Sequence, residues 1–374
     1  MAKTRISKAP ISLRGILLRA RWLQSLFAVL VALACLSVGT SQAVPIQWVT
    51  VGDPGNAADT NGRGAVADPF QIMKYEYTNE QYAVFLNAVA ATDTYSLYNP
   101  LMGTNTRGGI TQSGVSGSFS YTVRSNMGDK PVNYMTWFNA ARVANWMVNG
   151  QPTTGLQNTG TTEDGAYTLL TTGTSGQPIS STKAVPVNPG ATYFIPTQDQ
   201  WYKSAYYSPS YGGAGVPGYW AYGTQSDAAP TAVNATNAGD GTYGGVSPVT
   251  GNFANFNNAA SWNGATGNVT TVGTNGGSSY YGAFDMNGNV TEWNDLNGNG
   301  AVNDFLNARG GSWSTSDSTR LSSAYSYDIA PSVANDVTLG FRIAAVPEPS
   351  TWVMGLAGLA CGAWQAVRRR RRAR

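Results

Sequence analysis

Apolar side chains recur every three to four residues in three stretches of this chain, each preceded by a residue able to cap a helix. In the first, Thr78 caps and Gln81 closes a capping box before Tyr82, Phe85, Leu86 and Val89 follow at helical spacing. The second runs from about Thr136 to Val148, with Trp137, Ala140, Ala141, Ala144 and Met147 or Val148 on one stripe. In the third, Thr197 and Gln200 repeat the capping-box pattern ahead of Trp201, Ala205 and Tyr206. These aromatics read as core residues. Between the helices the pattern breaks into turns and short strands, with Gly-rich stretches at 103–119, 151–190 and 208–280. No linker separates two cores and no repeat of solenoid period is visible.

Two apolar runs at the ends follow different logic. Residues 1–43 hold six basic and no acidic side chains, an apolar stretch from about Leu23 to Val38, and small residues at Ser41-Gln42-Ala43. This is the layout of a secretory signal peptide, cut by signal peptidase before Val44. An uncleaved anchor or a lipid attached at Cys35 are the alternatives; the run is short for a bilayer span and Ala32-Leu33-Ala34 is a poor lipobox. At the other end, Pro347-Glu348-Pro349 precedes an apolar segment, 352–367, and six arginines between Arg368 and Arg374. The apolar segment would enter the membrane and the arginines would hold it on the cytoplasmic side.

The ends distort the bulk charge. The chain as a whole carries net +3, but residues 44–345 hold 11 basic against 19 acidic side chains, a net charge near −8. That body has no electrostatic footprint for nucleic acid. Both cysteines, Cys35 and Cys361, lie in the terminal apolar runs, and there is no histidine. Residues 44–345 therefore lack disulfides, thiol and imidazole chemistry, and any Ser-His-Asp triad. No Gly-rich run is followed by the Lys-Ser or Lys-Thr of a phosphate loop. Paired carboxylates stay formally open, because Asp285, Glu292, Asp317 and Asp328 lie in neighbouring segments. The body is rich in Gly, Asn, Thr, Ser, Tyr and Trp, and aromatics at 11% argue for an ordered, loop-rich domain.

The C-terminal arrangement closely resembles the PEP-CTERM sorting signal, which implies recognition by a membrane exosortase, transient inner-membrane anchoring and release to the cell surface; a permanent one-span anchor is the alternative. In the body, six segments in order resemble the sulfatase-modifying-factor domain of formylglycine-generating enzymes. They are KYEYTNEQYAVFLNAV (74–89), KPVNYMTWFNAARVANWM (130–147), FIPTQDQWYKSAYY (194–207), FDMNGNVTEW (284–293), ARGGSW (308–313) and LGFR (339–342). The stretch 97–121 further resembles a subgroup bearing the same sorting tail. The resemblance implies a single α+β domain over 44–345, related to C-type lectins, with few helices and short strands. Residues 1–43 are then the signal peptide and 346–374 the sorting signal.

In that family two cysteines shortly after the RGGS segment hold copper and oxidise a substrate cysteine. Counting from Arg309, the matching positions are Thr315 and Arg320, neither of which ligates copper(I), so no copper is expected. Histidine-built iron sites of related oxidases are excluded too. The resemblance also implies structural calcium, held by the side chains of Asp285 and Glu292 with the carbonyls of Gly288 and Val290, and a second site at Asn255 with the carbonyl of Phe256. The plain alternative is that Asp285 and Glu292 are hydrogen-bonded loop carboxylates. Directly afterwards, Asp295, Asn297 and Asn299 fall at positions one, three and five of a calcium loop, but Leu306 stands where the closing carboxylate belongs, and an Asn-Gly turn explains the run equally. The expected protein is an exported, noncatalytic binding or structural module with a glycan or extracellular-matrix ligand, for which Trp220, Tyr222 and Trp262 are candidate stacking rings; that each is a core residue is the alternative. The alternative is an enzyme of unrecognised type that uses carboxylates on the same fold.

Overall fold

The computed structural model describes residues 46–169, 186–295, 306–329 and 336–347. The chain divides into Met1–Ala43 and Val44–Arg374, and every described residue belongs to the second unit. Helices α1 (Asn79–Val89), α2 (Leu101–Thr104), α3 (Trp137–Val148) and α4 (Gln198–Tyr206) sit among short strands and long loops, a loop-rich α+β arrangement.

The three long helices start where their caps predict. Thr78 and Gln81 exchange both capping-box hydrogen bonds (3.3 and 2.9 Å), and Thr197 and Gln200 do the same (3.2 and 2.9 Å). Thr136 accepts from the Asn139 amide at 3.0 Å. These bonds satisfy donors at the first turn that no intrahelical partner reaches. Helix α3 departs from the expected stripe, because every residue from Trp137 to Met147 is buried. Its Arg142 is enclosed with Glu163, which takes Nε and Nη2 at 2.8 and 2.9 Å. A charged residue in the middle of a buried helix is tolerated because this partner is buried beside it.

Two four-stranded sheets organise the rest. In the first, the order is Trp48–Val51, Phe70–Met73, Ala344–Ala345, Tyr193–Phe194, antiparallel throughout. In the second, Thr291–Asn294 lies between Leu306–Arg309, antiparallel, and Leu339–Phe341, parallel, with Tyr327–Ile329 at the edge. The four residues of Thr291–Asn294 are all buried. Aromatics fill the main core: Tyr77 stacks on Phe341 at 4.8 Å and Trp137 meets Tyr167 edge-on at 5.1 Å. Each such ring contributes roughly 1.5–3 kcal/mol through burial.

Asparagine does elsewhere what strands would do. Asn145 donates to the carbonyls of Thr162 and Tyr167 and accepts from the Tyr167 amide, and Asn79 donates to those of Met127 and Lys130. Buried loop backbone must be paired, and amide side chains pair it without a ladder. The abundance of Asn thus follows from the scarcity of long strands.

Candidate functional site: a hydroxyl-lined cavity beside the second sheet

Strand Leu306–Arg309 ends in Gly310 and Gly311, both at positive φ (90° and 68°). A Cβ at Gly311 would meet the Leu321 side chain at 2.5 Å, so only glycine lets the following loop fold back here. That loop is stitched down at several points. Thr315 accepts from the Ser312 amide at 2.9 Å, the Trp313 amide donates to the Asn289 carbonyl, and the Asn257 and Asn258 amides donate to the carbonyls of Thr315 and Trp313. Asp317 then caps a 3₁₀ turn, Ser318–Leu321, which carries Arg320.

Between this loop and the sheet lies a cavity of about 230 Å³. It is lined by Thr291, Ser312, Ser314, Thr315, Ser316 and Thr338, together with Arg320, Tyr327, Asp336, Ile329 and Leu339. Thr315 is 8% exposed and forms part of the floor, whereas Arg320 is exposed at the mouth, 5.6 Å from the Tyr325 ring. Asp336 is engaged by the Thr338 amide and hydroxyl at 2.8 and 2.5 Å. Thr315 and Arg320, the positions that the resemblance matches to copper thiolates, therefore line one space.

A family model described as "Sulfatase-modifying factor enzyme 1-like domain" matches residues 49–346. The chain belongs to this family. A second model, the PEP-CTERM protein-sorting motif, matches residues 345–372, and it marks the chain for export and surface sorting. Among solved structures, the chain is similar to one titled "Crystal Structure of CarF", with 20% identity over 82% of this chain and 100% of that one, TM-score 0.46. It is also similar to Treponema denticola variable protein 1 (16% identity, 82% and 98% covered, TM-score 0.47) and to PvdO from Pseudomonas aeruginosa (17%, 81% and 92%, TM-score 0.38). No curated protein matches.

Against the calcium positions expected from the resemblance the geometry divides. Glu292 is spent on a buried ion pair: Arg342 Nε and Nη2 donate to Oε2 and Oε1, both at 2.5 Å, and Trp201 Nε1 donates to Oε2 at 2.8 Å. Asp285 likewise accepts from the Gly273 amide on one oxygen and from Asn275 on the other, at 2.5 and 2.8 Å. A guanidinium held against Glu292 opposes a dication there, so the set Asp285, Gly288, Val290 and Glu292 does not fit a calcium ion in this arrangement. Asn255 differs. It is fully buried, its Nδ2 donates to the Asn268 carbonyl, Thr270 and Asn289, and its Oδ1 has no hydrogen-bond partner. An orphaned buried amide oxygen next to Phe256 suits a hard cation. Among the described residues, no three Asp, Glu, His or Cys side chains gather to hold a metal, so any such ion would rely on amide and carbonyl oxygens.

Glu76, which the sequence pattern did not single out, joins this region. It is fully buried and accepts from Asn289 Nδ2 at 2.6 Å and the Val290 amide at 3.0 Å. Burial first, then the carboxylates of Asp285 and Glu292, holds it well above the usual carboxylate range. Burial also raises the Asp285 carboxyl. The link to the 285–290 loop spans 213 residues of sequence, so nothing local signals it. Gly288 closes the same knot at φ +82°, with a hypothetical Cβ 2.2 Å from the Asn255 carbonyl.

The expected sugar-stacking residues need correction. Trp262 is 7% exposed, with its indole N–H on the Val269 carbonyl and Lys130 over its ring, and Tyr222 is 6% exposed against Ala254, Phe256 and Leu321. Neither offers a free ring face, because both close satellite cores under the loops. Trp220 keeps a half-buried ring, edge-on to Tyr211 at 4.8 Å. Asp295 is buried, and its backbone pairs with Pro196 and Gln198; Asn297 and Asn299 lie outside the described residues, as do Glu348, Pro349, the expected signal peptide at 1–43 and the apolar segment 352–367. Among the described residues no helix is long and apolar enough to cross a membrane.

Proposed function

We propose that this member of the sulfatase-modifying factor enzyme 1-like family is a noncatalytic binding module, which holds the end of a glycan in the cavity floored by Thr315. The supporting observation is the wall composition: six Ser and Thr residues and one exposed arginine, with Tyr327, Asp336, Ile329 and Leu339, line the space where the resemblance places copper thiolates. Hydroxyls both donate and accept, which matches the alternating demands of a sugar ring. At about 230 Å³ the cavity is smaller than sites for drug-sized ligands, and it suits one ring with the rest of the chain outside. The carboxylate-enzyme alternative gains nothing here, since Asp285 and Glu292 are already engaged, Asp317 caps the 3₁₀ turn and Asp328 accepts from Asn307.

On this reading signal peptidase removes residues 1–43, the tail anchors the chain transiently in the inner membrane, and an exosortase releases it to the surface, where the exopolysaccharide matrix supplies the ligand. A calcium ion, where bound, would be held by Asn255 and the Phe256 carbonyl and would tie the loop that backs Thr315. The deciding experiment is a glycan array probed with the mature chain beside Arg320→Ala and Thr315→Val. Binding to a subset of glycans, weakened at least about tenfold by either substitution, is expected. An empty array, or binding indifferent to both substitutions, sinks the proposal.

A further inference from the structure

The two matched family segments overlap at residues 345 and 346, so no linker separates the folded domain from its sorting signal. Ala345 is paired on both sides, with Gln71 and with Tyr193, inside the first sheet. Val346 still donates its amide to the Thr192 carbonyl at 3.0 Å. Pro347 has no amide to continue the ladder, and the sheet pairing ends there. It lines a groove of about 420 Å³ together with Trp48, Gln71, Thr192, Tyr193 and Val346. The groove is partly apolar: the Trp48 and Tyr193 rings are half-buried, 5.9 Å apart and tilted by 31°, and Val346 is 51% exposed.

We propose that this groove is a docking surface for the membrane enzyme that reads Pro347-Glu348-Pro349, so that the folded domain, and not the tail alone, is its substrate. The proposal rests on the sorting reading of the tail. Consecutive Cα atoms are about 3.8 Å apart, which leaves Glu348 and Pro349 at most about 4 and 8 Å from Pro347. An enzyme that grips Pro347 meets the groove that this residue lines. The start of the motif is tethered, because Ala344 and Ala345 are zipped between two strands and Arg342 is locked to Glu292 just upstream. Tyr and Trp beside a motif that must be gripped supply the rigid apolar contact area that recognition surfaces favour.

The test follows tail removal from the full chain, by pulse-chase and mass spectrometry, in cells carrying the sorting enzyme. One variant places a flexible Gly-Ser insertion of about eight residues between Val346 and Pro347, which frees the motif without touching the domain. Others are Trp48→Ala and Tyr193→Ala, each checked for native circular dichroism. Removal slowed at least about tenfold by the insertion, and by either aromatic substitution, is expected. An insertion that leaves the rate unchanged or raises it overturns the proposal, since the domain is then a bystander or an obstacle. So does loss of binding by the aromatic variants to phosphatidylethanolamine–phosphatidylglycerol vesicles with processing intact, which would make the groove a lipid contact. A tail kept by the unsubstituted chain, or removed equally after Glu348→Ala, would instead refute the sorting reading itself.

Discussion

Arg342 closes on Glu292 through two hydrogen bonds of 2.5 Å, with both side chains at 0% exposure. The same guanidinium donates to the carbonyls of Met73 and Phe284, and Trp201 on α4 shares the carboxylate. One pair thus joins both sheets to a helix. Removing one partner strands a buried charge, so Arg342→Met is expected to cost about 3–5 kcal/mol in urea unfolding. The double variant Arg342→Met/Glu292→Leu should recover part of that loss. A double variant no better than the singles would show that the pair is not the source of the cost.

Lys203 on α4 is fully buried, donating to the Asp53 carbonyl at 2.7 Å beside the Tyr207 ring. Burial brings its ammonium from 10.5 down to about 8. Between those values the folded chain holds fewer protons than the unfolded one, so stability rises with pH, by at most about 1.4 kcal/mol per pH unit. The burden is complete below pH 8 and lifts toward 10.5. Unfolding free energies at pH 7.5 and 9.5, taken relative to Lys203→Met, should show the native chain gaining. A flat difference would refute the shift.

Thr315 and Arg320 line the cavity where the family resemblance places copper thiolates. The native chain is expected to take no copper(I) from a competing chelator. Thr315→Cys/Arg320→Cys should take about one equivalent per chain, because two thiolates create the soft site that a hydroxyl and a guanidinium cannot. Failure of the double variant to bind while folded would mean that the two positions do not converge.

Calcium binding to the folded state alone adds about 2.7 kcal/mol at a hundredfold excess over Kd. Melting in calcium against chelator should therefore shift upward for the native chain. The calcium-dependent part of that shift should vanish in Asn255→Ala, whatever that substitution does to the baseline. Equal melting with and without calcium in the native chain would remove the ion from the account.

The helix starts were legible because capping is local: Thr78 with Gln81, and Thr197 with Gln200, lie three residues apart. The loss of thiol and imidazole chemistry was legible because it is an inventory, and so was the sorting motif, which is linear. Which of the two readings of Glu292 and Asp285 the fold favours was not legible, because their partners come from residues 342, 201, 273 and 275. Trp262 and Tyr222 looked like sugar platforms in a polar, Gly-rich stretch. A ring's free face depends on what packs over it, and spacing carries no trace of that.

By itself the sequence determined the family, the caps of the helices, the missing redox ligands and the surface address. Those depend on residue identity or on neighbours within a turn. Only the tertiary structure decided that Glu76 is buried against Val290, that Arg342 neutralises Glu292, that six Ser and Thr residues, Thr315 among them, line one cavity, and that the sorting motif starts at the edge of the core without slack. Each of these is a meeting of distant segments, set by how strand Thr291–Asn294 registers against Leu339–Phe341 and how Ala344–Ala345 closes the first sheet.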